Sequence, residues 1–180
     1  MCIRDSINTP FLSSSIFGFD EAVEGAPHDY TWGGKNEASL RVSLVRDESD
    51  SRNAKFAVRN YDGTIDLESD WILDIYNNNH WTVSIRAKLS EYPYIGAPSV
   101  FRTSGSIELY AVNTNFGDVE NSVRLTADLT AASASYYLYA PKRVYAGAHC
   151  LNFTGSAQTK SDNQIGAVRG WLDYLSLIHI

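Results

Sequence analysis

The chain has 180 residues, of which 15 are lysine or arginine and 21 are aspartate or glutamate, so its formal net charge is −6. A mildly acidic chain does not suit a surface that tracks a phosphate backbone, so we expect no nucleic-acid partner. No apolar run approaches the roughly 20 residues that a membrane-spanning helix needs, so we expect no membrane insertion. Eleven tyrosines and four tryptophans favour strands over helices.

Both ends of the chain read as translated DNA adapter. The opening MCIRDS (residues 1–6) and the closing LSLIHI (residues 175–180) can be encoded by opposite strands of one DNA stretch. That stretch resembles the mosaic end of a transposase-based sequencing adapter, and such scars are set aside before the fold is considered. We therefore expect one domain over residues 7–174, open to truncation at both ends. Cys150 is then its only cysteine, which leaves no internal disulfide.

Alternation of apolar and polar residues with period two recurs along the chain, which is typical of half-buried antiparallel strands. In chain order it predicts strands over residues 14–19, 40–45, 55–59, 81–88, 107–111, 123–129, 144–148 and 165–174. The strand over residues 144–148 is expected to turn Val144, Ala146 and Ala148 toward the core. Residues 131–135 predict at most a turn or two of helix. Short polar linkers separate these segments, so the pattern predicts an all-β antiparallel sandwich or jelly roll.

Four segments, in their order and spacing, carry a resemblance to a known superfamily. They are ASLRVSLVRDESDSRNAKFAVRN (38–60), LDIYNNNHWTVSIRAK (73–88), GSIELYAVN (105–113) and the region from residue 143 to residue 175. The chain resembles the concanavalin A-like lectin/glucanase superfamily, in particular its laminin G-like branch. The resemblance implies a concanavalin A-like jelly roll that binds carbohydrate. Similar domains occur in phage fibre and virion proteins, which implies an extracellular or virion location.

Catalytic residues are not predicted. Glucanases of this superfamily carry an E-x-D-x-x-E strand motif that divides acid and nucleophile roles between carboxylates, and the chain has no match to it. The segment DLESD (residues 66–70) alternates correctly but lacks apolar flanks, so it is interpreted as a solvated acidic turn. His28, His80 and His149 are isolated and are expected at the surface or at a sheet edge. Cys150 is expected to be a small buried residue. We therefore predict that the domain is not an enzyme.

Calcium is kept open as a cofactor, because lectin and laminin G-like relatives often hold one near the binding edge. This ion takes six to eight oxygen ligands. The segments RDESDSRN (46–53) and NYDGTIDLESD (60–70) supply carboxylate and carbonyl oxygens, although both also read as ordinary hairpin turns.

Sugar binding is the function that the resemblance implies. Aromatic rings outside the strands can stack on a sugar, and asparagines can bond its hydroxyls. The candidate ligand-binding residues are Tyr30, Trp32, Asn77, Asn78, Asn79, Tyr92 and Tyr94. The alternatives stay open: Tyr92 and Tyr94 can simply pack a loop. Trp81, beside the asparagines, is expected in the core, as are Trp71 and Trp171.

Two function classes follow. One is a non-catalytic module of a larger extracellular or virion protein that binds a glycan or a cell-surface receptor. The other is a structural β-sandwich spacer or assembly domain that binds only the neighbouring domains of its parent chain. A fragment of a glucanase-type glycoside hydrolase is a third and weaker hypothesis.

Overall fold

A computed structural model describes residues 2–3, 13–21, 40–60, 63–77, 79–90, 104–139, 142–147, 149–150, 157–159 and 163–170. Most of these residues lie in antiparallel strands. The strands are β1 (Cys2–Ile3), β2 (Ser13–Glu21), β3 (Leu40–Arg46), β4 (Ala54–Asn60), β5 (Asp66–Glu68), β6 (Trp81–Leu89), β7 (Gly105–Asn115), β8 (Asp118–Leu129), β9 (Lys142–Ala146), β10 (His149–Cys150), β11 (Ala157–Thr159) and β12 (Asn163–Gln164). One helix, α1 (Ala131–Tyr139), lies between β8 and β9.

The larger sheet has five antiparallel strands in the order β5-β4-β3-β2-β9. Its centre follows the alternation in the sequence, because successive side chains of a strand point to opposite faces. Leu40, Val42 and Leu44 are buried on β3, and Phe56 and Val58 lie beside them on β4. The strands predicted over residues 14–19, 40–45 and 55–59 are thereby confirmed.

The smaller sheet has three antiparallel strands in the order β6-β7-β8. Its inner face carries the apolar residues that the alternation predicted on each strand. Strand β7 contributes Ile107, Leu109 and Ala111, all buried, and its neighbours contribute Trp81, Val83, Ile85, Ala87, Val123, Leu125, Ala127 and Leu129. The strands predicted over residues 81–88, 107–111 and 123–129 are confirmed.

The two sheets share one hydrophobic core, which confirms the all-β sandwich. Its buried members come from both sheets, and the rings of Phe56 and Trp81 meet between them with centroids 5.4 Å apart. The jelly-roll path stays a prediction. No helix among the described residues has the length and apolarity required to span a bilayer.

Helix α1 covers one end of this core and is longer than the sequence predicted. The Thr130 hydroxyl accepts a hydrogen bond from the Ser133 amide at 3.3 Å, as an N-cap residue does. Ala134 and Tyr137 are buried, and the Tyr137 ring meets Phe19 edge-on at 6.0 Å. The helix extends over nine residues because packing against the sheets stabilises a helix whose own pattern is weak.

The predicted inner face of β9 is wrong. Val144 is 57% exposed, Ala146 is also exposed, and Tyr145 between them is buried. Residue 148 lies outside the described chain. Tyr145 pairs with Gly18 of β2. Because glycine has no side chain, the Tyr145 ring packs in the space above it. The ring buries more apolar area than the two smaller side chains could.

The strand predicted over residues 165–174 is also wrong as far as the structure describes it. Residues 165–170 form no strand, and Val168 is 55% exposed. Gly166 and Gly170 lie in this stretch, and glycine weakens a strand interior. Pairing ends just before it, at β12, whose partner is the two-residue β1 within the segment interpreted as adapter.

Two further expectations are corrected at the edge of the larger sheet. Residues 66–68 are strand β5, paired with β4, and not a solvated turn. Trp71 is 45% exposed and not part of the core, because it lies just beyond β5 with the Lys55 ammonium 4.9 Å from its ring centroid. Trp171 lies outside the described residues, and Trp81 is buried as predicted.

Candidate functional site

The β7–β8 hairpin ends in an exposed aromatic ring. Asn115 and Asp118 are paired, which leaves Phe116 and Gly117 as a two-residue loop. Both loop residues have positive φ, 49° for Phe116 and 93° for Gly117, as in a type I′ turn. The Phe116 side chain is fully exposed. Asn, Asp or Gly normally takes its position, so the bulky phenylalanine is held in a strained conformation at an apolar tip.

A β-bulge next to the tip sets the direction of Glu120. Thr114 pairs with Val119, whereas Asn113 pairs with Asn121, so Glu120 is the extra residue on β8. A bulge re-aims the side chains around it. Here it places the Glu120 carboxylate beside the asparagines on the inner face of β7.

Glu120 accepts hydrogen bonds from three asparagine amides. The Asn115 Nδ2 donates to Oε1 at 2.7 Å, and Oε2 receives Asn79 Nδ2 at 3.2 Å and Asn113 Nδ2 at 3.4 Å. We call Asn79, Asn113, Asn115 and Glu120 the tip cluster. Its members come from β7, β8 and the segment before β6, so only the folded chain assembles it.

Asn113 forms the buried base of the tip cluster. It continues the inner face of β7 and pairs with Trp81 of β6, and it is 1% exposed. Its Oδ1 is buried without a hydrogen-bond partner among the described residues. Asn115 and Glu120 are exposed. The cluster therefore runs from a buried acceptor to an exposed rim of amide and carboxylate groups.

The structure brings part of the predicted site to this cluster. Asn79 belongs to it. The backbone N–H of Asn79 donates a hydrogen bond to the Asn77 Oδ1 at 3.0 Å. Tyr30, Trp32, Asn78, Tyr92 and Tyr94 lie outside the described residues, so their roles stay predictions.

Sequence reasoning missed Phe116, Asn113, Asn115 and Glu120. One signal was readable: the segment NTNFGD (residues 113–118) has a two-residue loop ending in glycine between alternating strands, which is a hairpin pattern. The bulge that turns Glu120 toward the asparagines has no such signal.

In the acidic turn between β3 and β4, the carboxylates accept hydrogen bonds from neighbouring groups of the same turn. Asp47 accepts from the Ser49 hydroxyl at 2.7 Å and from the Ser49 amide at 2.8 Å, and these bonds hold its pKa below the usual value. The Arg52 guanidinium bonds Asp50 at 2.9 Å, and hydrogen bonds from Arg52 lower the pKa of that carboxyl. Within the described ranges no group of three or more His, Cys, Asp or Glu side chains could hold a metal. Calcium binding stays a prediction.

The carboxylates of β5 are likewise engaged. Asp66 bonds Arg59 at 2.8 Å, and Glu68 contacts both Arg59 and Lys55. These ion pairs lie on the outer face of the larger sheet. Among the histidines, His80 is exposed as expected. His28 lies outside the described residues, as do the side chains of His149 and Cys150.

The outer face of the smaller sheet carries a charged triad. Glu108 of β7 lies between Arg86 of β6 and Arg124 of β8, and it forms an ion pair with each. The side chains of Arg86 and Glu108 are 6% and 9% exposed, whereas that of Arg124 is 62% exposed. The Arg124 Nε donates to Glu108 at 2.6 Å.

No protein-family model, curated protein or solved structure is significantly similar to the chain. The membership in the concanavalin A-like superfamily predicted from sequence segments therefore stays a prediction.

Proposed function

We propose that the chain is a non-catalytic, carbohydrate- or receptor-binding module of a larger extracellular or virion protein, and that it binds its ligand at the β7–β8 tip. The observation that supports this is the fully exposed Phe116 ring beside the hydrogen-bonding groups of the tip cluster. A sugar presents an apolar face and a rim of hydroxyls, and the tip offers a counterpart to each.

Backbone strain and the exposed ring at Phe116 both favour ligand binding at the β7–β8 tip. A phenylalanine with positive φ costs of order 1–3 kcal/mol, and such strain is concentrated at functional sites. Its exposed ring stabilises nothing in the free chain, whereas stacking on a ligand buries apolar area. The tip cluster supplies both acceptors and amide donors at its rim, as sites for polar ligands commonly do. A hydroxyl-rich ligand can use both at once.

The spacer hypothesis makes a different prediction. A domain that binds only its neighbours needs no ligand at an exposed tip, and it would bind no glycan in isolation. The two readings are separated by a direct binding measurement.

The experiment is a glycan array probed with the full chain, once with calcium and once with a chelator. We expect binding to a restricted set of glycans. Glu120→Gln is expected to abolish this binding, because the glutamine side chain has one acceptor oxygen where the carboxylate has two for the three asparagine amides. Glu68→Gln is the matched control: it is the same substitution on the other sheet, and it is expected to bind as the wild type does. Binding lost only with the chelator supports calcium as a cofactor. No binding by a folded wild type contradicts the glycan proposal.

A further inference from the structure

Strand β8 is a long edge of the smaller sheet. It has 12 residues, and its strand partner within the described chain is β7 alone. The outer-face residues along it, Ser122, Arg124, Thr126 and Asp128, are all exposed. Within the described residues, the other edge of β8 thus pairs with no strand.

Within the described residues, this edge lacks several of the usual protections against pairing. Soluble proteins blunt edge strands with charged side chains, above all lysine, with proline, bulges or very short length, or by covering them with a helix or loop. Residues 121–129 contain neither proline nor lysine, and the single bulge lies at the tip end, beside Asn113 and Thr114. Strand β5 shows the contrast, since it is only three residues long and carries ion-paired carboxylates.

The sequence of β8 is complementary to itself in one antiparallel register. A two-fold axis at Thr126 puts Arg124 of each copy opposite Asp128 of the other copy. Both of these pairs lie on the outer face. On the inner face the same register puts Leu125 opposite Ala127 and Val123 opposite Leu129. Residues 123, 125 and 127 are only half-buried in one chain, so pairing would complete their burial.

The charged groups of Arg124 and Asp128 can form the ion pairs that this register requires. Arg124 uses Nε and Nη2 on Glu108, which leaves Nη1 for a second carboxylate. Asp128 is exposed and has no bonded partner in the described part of the chain. Opposite charges directly across two strands stabilise the pair.

We infer that β8 is an interaction surface whose partner is a second copy of this chain, paired antiparallel about Thr126 to form a continuous six-stranded sheet. The tip at Gly117 lies nine residues from the axis, or roughly 30 Å at about 3.4 Å per residue. Two tips would therefore point in opposite directions about 60 Å apart. The pairing itself does not depend on what the tip binds.

The test uses disulfide trapping in a full chain that carries Cys2→Ser and Cys150→Ser. Thr126→Cys places two thiols across the axis, where paired Cα atoms lie about 4.5–5.5 Å apart, within the span of a disulfide. Ser122→Cys is the matched control, because it is equally exposed on the same strand but faces residue 130 of the second copy. We expect Thr126→Cys to form a covalent dimer at least ten-fold faster than Ser122→Cys.

Light scattering after size exclusion supplies the second readout. The wild type is expected to be a dimer, and Asp128→Lys is expected to raise its dissociation constant at least about ten-fold, because each Arg124 then faces a lysine. A wild type that stays monomeric at all concentrations overturns the inference. So does a dimer that Asp128→Lys leaves intact, or equal trapping of the two cysteine variants.

Discussion

The ring of Tyr145 on β9 lies directly over Gly18 on β2. The two residues are paired in the larger sheet, and a Cβ atom at Gly18 would come within 2.2 Å of the Tyr145 Oη and 2.6 Å of the Leu40 carbonyl oxygen. An aromatic ring that covers a glycine on the neighbouring strand stabilises both. This contact anchors β9, whose neighbouring Val144 is exposed.

Gly18→Ala is expected to destabilise the fold by about 1–3 kcal/mol, because the added methyl overpacks a filled space. Chemical denaturation measures the change. Gly166→Ala is the control: nothing lies within 4 Å of its added Cβ, so it should leave the denaturation midpoint almost unchanged. Equal midpoints for the two variants would show that the ring does not occupy this space.

Trp81→Ala is expected to cost about 3–5 kcal/mol, since removing a buried aromatic residue leaves a cavity between the sheets. Trp71→Ala should cost about 1 kcal/mol or less, because its half-exposed ring loses only the contact with Lys55. Urea denaturation of both variants compares them. A larger loss for Trp71→Ala would contradict the placement of the two rings.

Glu108→Gln is expected to destabilise the chain by about 3–5 kcal/mol, because it removes the buried carboxylate that pairs with the buried Arg86 guanidinium. The control Glu68→Gln removes a carboxylate from partly exposed ion pairs and should cost only about 0–1 kcal/mol. Thermal unfolding at neutral pH measures both. A neutral effect of Glu108→Gln would mean that the triad is solvated.

The turn between β3 and β4 predicts a pH dependence of stability. Hydrogen bonds from the Ser49 hydroxyl and amide lower the pKa of Asp47 from its usual 3.8. Because the folded pKa lies below the unfolded one, this contribution is fully present above about pH 4 and is lost as the pH falls through the folded pKa. NMR titration of the full chain measures it. Ser49→Ala should bring the pKa of Asp47 back toward 3.8. The pKa of Asp50 should stay lowered in this variant. A pKa of Asp47 at or above 3.8 in the wild type would contradict these hydrogen bonds.

Alternation in the sequence was enough to predict the central strands, because a strand with one buried face shows period two directly. It failed at β9, where Val144 and Ala146 alternate correctly and yet are exposed. Which face is buried there depends on the pairing of Tyr145 with Gly18, two residues 127 positions apart in the chain. Local periodicity does not contain that information.

The candidate site shows the same limit. Asn77 and Asn79 were predicted because three consecutive asparagines precede a tryptophan. Glu120 was not, because it reaches the asparagines only through a bulge in the register of β7 and β8. The exposed Phe116 was missed because its strained position depends on a turn type that the sequence shows only through the following glycine.

The most direct test of ligand binding at the tip is titration calorimetry of Phe116→Asn with a glycan selected on the array. Asparagine tolerates positive φ, so this variant removes the ring and relieves the strain of the turn together. We predict at least a ten-fold loss of affinity with an unchanged or higher melting temperature, whereas Trp71→Asn, which alters another exposed aromatic residue, should bind as the wild type does. Wild-type affinity in Phe116→Asn would contradict binding at the tip.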